Sequence, residues 1–185
     1  MARGAIVVRD AVPGDAEALL DIWLDFTSGA EVRPHCDVCE VERSVMRLET
    51  EPSERLVVAV AEGVPVGVAH LRRAAISPIH GEDAVHVGYL HVMSGHRRRG
   101  IGKALLEAAA DWADEKDTKN LVAIVGANTR EANRFLARLG MGQVAVVRAT
   151  TVTGLRGKLA GRSAKSVTSA VVAARRLTRR SSMTV

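Results

Sequence analysis

The stretch Ala84-Val85-His86-Val87-Gly88-Tyr89-Leu90-His91-Val92-Met93-Ser94-Gly95-His96-Arg97-Arg98-Arg99-Gly100-Ile101-Gly102-Lys103 decides the fold of this chain. Its first half is an apolar, β-branched run that reads as a strand. Its last residues open a long helix, with Leu105, Ala108, Ala109, Trp112 and Ala113 at helical spacing. A strand that passes through a turn into a helix leaves the helix's first N–H groups without partners, carrying about half a positive elementary charge. Gly100 and Gly102 let the backbone turn tightly and approach an anion, and Arg97, Arg98 and Arg99 add formal charge beside it. A pyrophosphate is the natural guest. Neither a Gly-Lys-Ser/Thr ending nor a G-x-G-x-x-G after a first strand is present, so two other phosphate-binding loops are excluded.

Working outward, Ile6–Arg9 reads as a short strand, and Pro13-Gly14-Asp15 opens a helix to about Ser28 whose Leu19, Leu20, Trp23, Leu24 and Phe26 keep mostly to one side. A second helix spans Val38–Glu51, with Pro52 after it. Leu56–Ala61 and Val66–Arg72, separated by Glu62-Gly63-Val64-Pro65, form a hairpin signature. A turn-rich link, Ser77–Asp83, leads to the strand quoted above. Beyond the long helix, which ends near Lys116, come a buried strand Leu121–Val125, a helix Thr129–Leu139 closed by Gly140, and a strand Val144–Arg148. Hairpin strands first and strand-helix-strand units later predict an α/β domain with a mixed sheet and helices on both faces.

The length of 185 residues fits one domain, residues 1–150, and a C-terminal extension, residues 151–185. Hydrophobic residues at 47% and charged residues at 25% are ordinary for a globular chain and exclude wholesale disorder. Five aromatic residues are too few for a platform of stacked rings that would bind single-stranded nucleic acid. The net charge of +5 is unevenly spread: all 21 acidic residues lie at or before Glu131, and everything from Ala132 onward is basic or neutral. In the extension Val167, Val171, Ala174 and Leu177 recur at helical spacing among arginines. Such a helix could dock on the domain itself, join a homodimer, or touch nucleic acid or anionic lipid. Cys36 and Cys39 with His35 supply at most three metal ligands where structural zinc takes four, so they read as reduced thiols and no metal is expected. No signal-peptide core or long apolar run is present, and a cytoplasmic location is expected.

In this context Val92-x-x-x-x-Arg97-x-x-Gly100-x-Gly102 resembles the acetyl-CoA motif of the GNAT superfamily of N-acetyltransferases, a (Q/R)-x-x-G-x-(G/A) loop after the fourth strand. The resemblance runs over roughly residues 5–150, including the element order and the Leu139-Gly140-Met141 segment. It implies a central, mostly antiparallel sheet splayed at the fourth strand. It further implies that the backbone amides of Arg98, Arg99, Gly100, Ile101, Gly102 and Lys103, beside Arg97, hold the pyrophosphate of acetyl-CoA. The backbone of Leu90, His91 and Val92 would pair with the pantetheine arm like an added strand. Asn128, one residue from the position where relatives often carry a pantetheine-binding Asn, is a candidate for the same arm.

Amine acetylation needs a neutral amine, stabilisation of the oxyanion, and a proton for the leaving thiolate. His86 occupies the strand position where many members of the family carry a Glu base, and it reads either as that base or as a structural histidine. Strict alternation puts His86, Gly88, Leu90 and Val92 on one face and Val87, Tyr89 and His91 on the other. His91 is the second candidate base, being next to the expected thioester. Many relatives hold a Tyr as the acid where this chain has Leu136, so either Tyr89, its sole tyrosine, donates the proton, or Tyr89 packs in the sheet and solvent protonates the thiolate. The reaction implied is direct transfer in a ternary complex to an amine, which the first two helices and the Ala74–Asp83 link would enclose. The negative balance of residues 1–131 hints at a cationic acceptor such as an amino sugar, polyamine or protein lysine. Two rival readings are a silent acetyl-CoA-binding module that acts through its basic tail, and a nucleic-acid-binding protein.

Overall fold

The computed structural model describes residues 5–28, 36–79, 81–125, 129–145 and 150–160. The chain divides into two compact units, Met1–Gly140 and Met141–Val185. In the first unit β1 (Val7–Asp10) leads through a single tight turn at Pro13–Asp15 into α1 (Ala16–Phe26) and α2 (Val38–Glu49). Then follow β2 (Glu54–Ala61), β3 (Val64–Ala75), β4 (Asp83–Val92), α3 (Ile101–Glu115), β5 (Asn120–Ala123) and α4 (Arg130–Arg138). The five strands lie in chain order in one sheet. The first three pairings are antiparallel and β4–β5 is parallel, so the fold is the mixed α/β sheet that the sequence implied.

Local chemistry explains the connections. Glu62 and Gly63 both take left-handed φ values, +54° and +84°, the two-residue turn whose twist suits a hairpin. Asp15 is nearly sealed from solvent at the start of α1, where its carboxylate accepts two bonds from Arg9 and one from the Val12 N–H, at 2.6, 2.8 and 2.9 Å. Those donors hold its pKa below the ordinary value, the Arg9 hydrogen bond contributing most. The Asp37 side chain caps α2 by accepting from the Glu40 N–H at 2.8 Å.

One face of the sheet packs against α1 and α2 through Ala11, Leu19, Ile22, Val45, Val58 and Val68. The other lies under α3, where Ile101, Leu105, Ala109 and Trp112 are buried. The contact there is close because β3 has Gly67: a Cβ at that position would lie 3.0 Å from Ile101 Cγ2 and 3.1 Å from the His91 carbonyl oxygen.

β4 departs from the regular strand that the sequence suggested. Val68 pairs with His91 and His70 with Gly88, so Ala69 alone faces both Tyr89 and Leu90, and Tyr89 takes a left-handed φ of +48°. This bulge resets the alternation. Arg72 pairs with His86, His70 with Gly88 and Val68 with His91, and these three β3 residues share a face. His86, Gly88 and His91 therefore leave the sheet on the same side, where alternation had separated His86 from His91. The parallel pairing with β5 covers only Ala84–Val87 and ends with the Ile124 N–H on the Val87 carbonyl at 2.9 Å. Past that point no further pairing of β4 with β5 is found among the described residues.

In the second unit residues 152–160 form a helix, an element absent from the sequence reading, with Val152, Leu155 and Leu159 exposed. Of the expected strand Val144–Arg148, Val144 and Ala145 belong to no strand among the described residues, and residues 146–148 lie outside them. The expected helical spacing at Val167–Leu177 also lies outside the described residues. No helix among the described residues is long and apolar enough to cross a membrane.

Gly67→Ala is expected to cost about 1–3 kcal/mol, because its methyl meets a backbone carbonyl that cannot retreat without moving β4. Urea unfolding of the two proteins checks it; equal midpoints would mean that α3 is not held against β3 as described.

Candidate active site

The loop between β4 and α3 is built from left-handed turns. Arg98 has φ +62° and Gly100 φ +86°, and the Ala104 N–H closes the first turn of α3 onto the Gly100 carbonyl at 3.0 Å. The left-handed residue at the helix entrance turns the N–H groups that follow toward one point, a concavity suited to phosphate oxygens. Ile101 anchors the loop in the core, at 2% exposure. Gly102 lies over the Phe135 ring, 3.6 Å from where a Cβ would be, so space alone does not demand glycine there. Arg97 and Arg98 approach Glu131, in the first turn of α4, at 3.8 and 3.5 Å, and Lys103 pairs with Glu107 at 3.1 Å. Arg99 is exposed.

The Met93 N–H donates to the Val66 carbonyl at 3.0 Å. In an antiparallel pair the neighbouring residue then turns its own N–H and C=O away, so Val92 presents both to the side that β5 has left. There Arg97 Nε donates to the Val92 carbonyl at 3.1 Å. Arg97 of the loop is thereby tied to this edge. The residues present thus fit the acetyl-CoA that the resemblance implied. Asn128 lies outside the described residues.

On the α1 and α2 side a cavity of about 350 Å³ opens. Its walls include Leu19, Ile22, Trp23 and Phe26 from α1, Val41 and Val45 from α2, and His70, Tyr89 and His91 from the sheet. Trp23, Phe26 and Tyr89 form a three-ring cluster with centroids 5.5–5.8 Å apart, and the His91 ring meets Phe26 edge-on at 5.5 Å. His91 Nε2 stands 2.7 Å from Asp25 Oδ2. Asp25 has its pKa lowered, first by that hydrogen bond, with the Ser94 N–H and Arg97 also favouring its charge. A carboxylate can only accept, so Nε2–H donates to Asp25 and the neutral ring keeps its lone pair on Nδ1. A second pair, His70 Nε2 with Glu54 Oε2 at 3.0 Å, stands on the same wall.

The bulge and α1 thus bring together Tyr89 and His91 of the expected catalytic residues. His86 is not among the residues that line this cavity, and its Nε2 is buried with no hydrogen-bond partner among the described residues. Leu136 is buried in α4. Cys36 also lines the cavity, its thiol pushed up in pKa by burial and by Glu40 and Asp37. Sequence reasoning missed Asp25, 66 residues from its partner, and the His70–Glu54 pair. No signal in the sequence marked Asp25, because it continues the i, i+4 series Glu17, Asp21, Asp25 that reads as the solvated face of the helix. Among the described residues no group of three or more His, Cys, Asp or Glu is arranged to hold a metal ion.

The Acetyltransferase (GNAT) family profile matches residues 16–141, most of the chain and all of the surface just described. The chain belongs to this family. Comparison with curated proteins gave no match. Among solved structures it is similar to a transcriptional regulator from Bacillus halodurans C-125, at 20% identity and TM-score 0.70, covering 80% of this chain and 99% of that one. It is similar to an aminoglycoside N-acetyltransferase in complex with CoA, at 15% identity and TM-score 0.66, covering 80% and 95%. It is also similar to a glucosamine-6-phosphate N-acetyltransferase from Arabidopsis thaliana, at 14% identity and TM-score 0.66, covering 80% and 99%. At these identities the likeness is one of fold.

The sign of the Asp25 shift yields a test. A folded-state pKa below the ordinary 3.8 means that ionised Asp25 adds stability above that value, and that the gain is lost as pH falls through the lower folded value. Asp25→Asn should therefore be less stable than the parent at pH 7, by about 1–2 kcal/mol. The gap should narrow as pH falls below the ordinary 3.8 and through the lower folded value. Denaturant melts across pH check this; a constant gap would deny Asp25 its charged partner.

Proposed function

We propose that this protein transfers the acetyl group of acetyl-CoA to an amine, directly, with both substrates bound at once. The observation that carries the reading is the coincidence at β4 of two half-sites. On one side lie the Val92 edge, bonded only by Arg97 among the described residues, and the left-handed loop opening α3; on the other, the cavity with the Asp25–His91 pair. In that reading the amides of Arg98 to Lys103 and the charge of Arg97 hold the pyrophosphate, and the Val92 edge, with Leu90 and His91 beside it, receives the pantetheine arm. Acetyl-CoA supplies an activated acyl carbon: its C–S bond breaks as the C–N bond of the amide forms.

The chain's own residues then manage protons. Asp25 fixes the His91 ring with its Nδ1 lone pair free, so Nδ1 takes the proton that the amine loses. Tyr89, on the same wall, gives its hydroxyl proton to the departing thiolate and recovers it from water; Leu136 has none to give. His91 returns its proton to solvent. We rank His91 before His86 because His91 lines the cavity and has an oriented ring. Holding two substrates side by side supplies much of the acceleration, so this acid-base set need contribute only about 10²–10⁴-fold.

Calorimetric titration should show acetyl-CoA and CoA binding to the parent, and adenosine binding far more weakly. Gly100→Val should abolish that binding, since a β-branched residue cannot hold a φ of +86° and its side chain would enter the phosphate path; unchanged affinity would sink the loop assignment. His91→Ala should lower kcat about 100-fold and remove the acidic limb of the pH–rate profile while acetyl-CoA affinity is kept. If that limb survives in His91→Ala and disappears in His86→Ala, the base is His86.

A further inference from the structure

We infer that the acceptor is a small primary amine carried on an aromatic body, held by Trp23, Phe26 and Tyr89; this rests on the acetyl-transfer reading above. Volume comes first. A cavity of about 350 Å³ has the room of roughly a dozen water molecules. That suits one ring with a short alkylamine arm.

The wall chemistry narrows the class. A polyamine needs several free carboxylates along its length, yet Asp25 is engaged by His91 and Glu54 by His70. Glu40 is the only acidic residue among the described lining, and Arg47 shares that lining with it. An amino sugar needs partners for its hydroxyls, and burying a hydroxyl without one is costly. Away from Glu40, Arg47 and the two histidines, the described lining offers little beyond Ser44, Cys36 and the Tyr89 hydroxyl. The rest is aliphatic or aromatic.

The rings complete the argument. Phe26 and Tyr89 are 43% and 52% exposed, so the sheet core does not account for them. They nevertheless form one cluster with Trp23 at this cavity, three of the five aromatic residues in the chain. Exposed apolar surface gathered beside a cavity marks a ligand surface. A flat ring packed edge-on or offset against them would point its amine arm along Phe26 toward His91, whose ring touches Phe26.

The experiment measures thiol release from acetyl-CoA by the full chain with 2-phenylethylamine, spermidine, glucosamine and a lysine-containing peptide. We expect kcat/KM for 2-phenylethylamine to exceed the others by about tenfold or more. Trp23→Ala and Phe26→Ala should each raise its KM about tenfold while KM for acetyl-CoA stays within about twofold. Trp23→Phe, which keeps a ring for packing, should show a smaller rise and serves if the alanine variant fails to fold. Equal or better turnover of spermidine, glucosamine or the peptide overturns the acceptor class and leaves acetyl transfer standing. So does binding of acetyl-CoA with no acetylation of any of the four amines, or an unchanged KM in the ring variants. Absence of acetyl-CoA binding by calorimetry overturns instead the reading on which this inference rests.

Discussion

β4 is required to pair on both sides along its first half and on one side only along its second, and the rest of the molecule accommodates that constraint. From Ala84 to Val87 the strand is an interior strand, with β3 on one flank and β5 on the other. From Gly88 onward β5 is gone, and the extra residue at Tyr89–Leu90 bends the strand away. Backbone groups left unpaired inside a protein are costly, so such an edge persists only where water, a side chain or a ligand satisfies it. Here Arg97 reaches back to the Val92 carbonyl.

The bulge has a second effect, on the opposite side of the sheet. It rotates His91 toward α1, within reach of Asp25, and turns Tyr89 onto Trp23 and Phe26. One inserted residue therefore sets which side chains of β4 meet α1. A left-handed φ at a tyrosine costs on the order of 1–2 kcal/mol relative to glycine. Stacking of its ring on two neighbours offsets part of that.

What could be read in the sequence was whatever depends on neighbours along the chain. The Glu62-Gly63 turn, the long helix from Ile101 and the glycine-arginine loop are local, and each carried its own signal. The shape of β4 is not local. That Ala69 faces two residues is decided by how β3 and β4 settle against each other, and a run of alternating residues says nothing about a skipped step. The face assignment of His86 and His91 failed for that reason. Asp25 was illegible for a related one, since α1 and β4 meet only once the sheet has formed. The helix at residues 152–160 is short and holds Gly154 and Gly157, whose low helix propensity hides the spacing of Val152, Leu155 and Leu159.

The scarcity of aromatic residues has an optical consequence. The chain has two tryptophans. Trp112, on the buried face of α3, is 2% exposed, has Arg55 above its ring at 5.9 Å, and is not among the residues lining the cavity. Trp23 stands in the cavity wall, in contact with the sole tyrosine. The intrinsic fluorescence of this protein is therefore a steady background from one indole and a variable signal from the other. Whatever enters the cavity displaces water from Trp23 and changes its colour of emission, so the molecule carries a label-free gauge of its own occupancy.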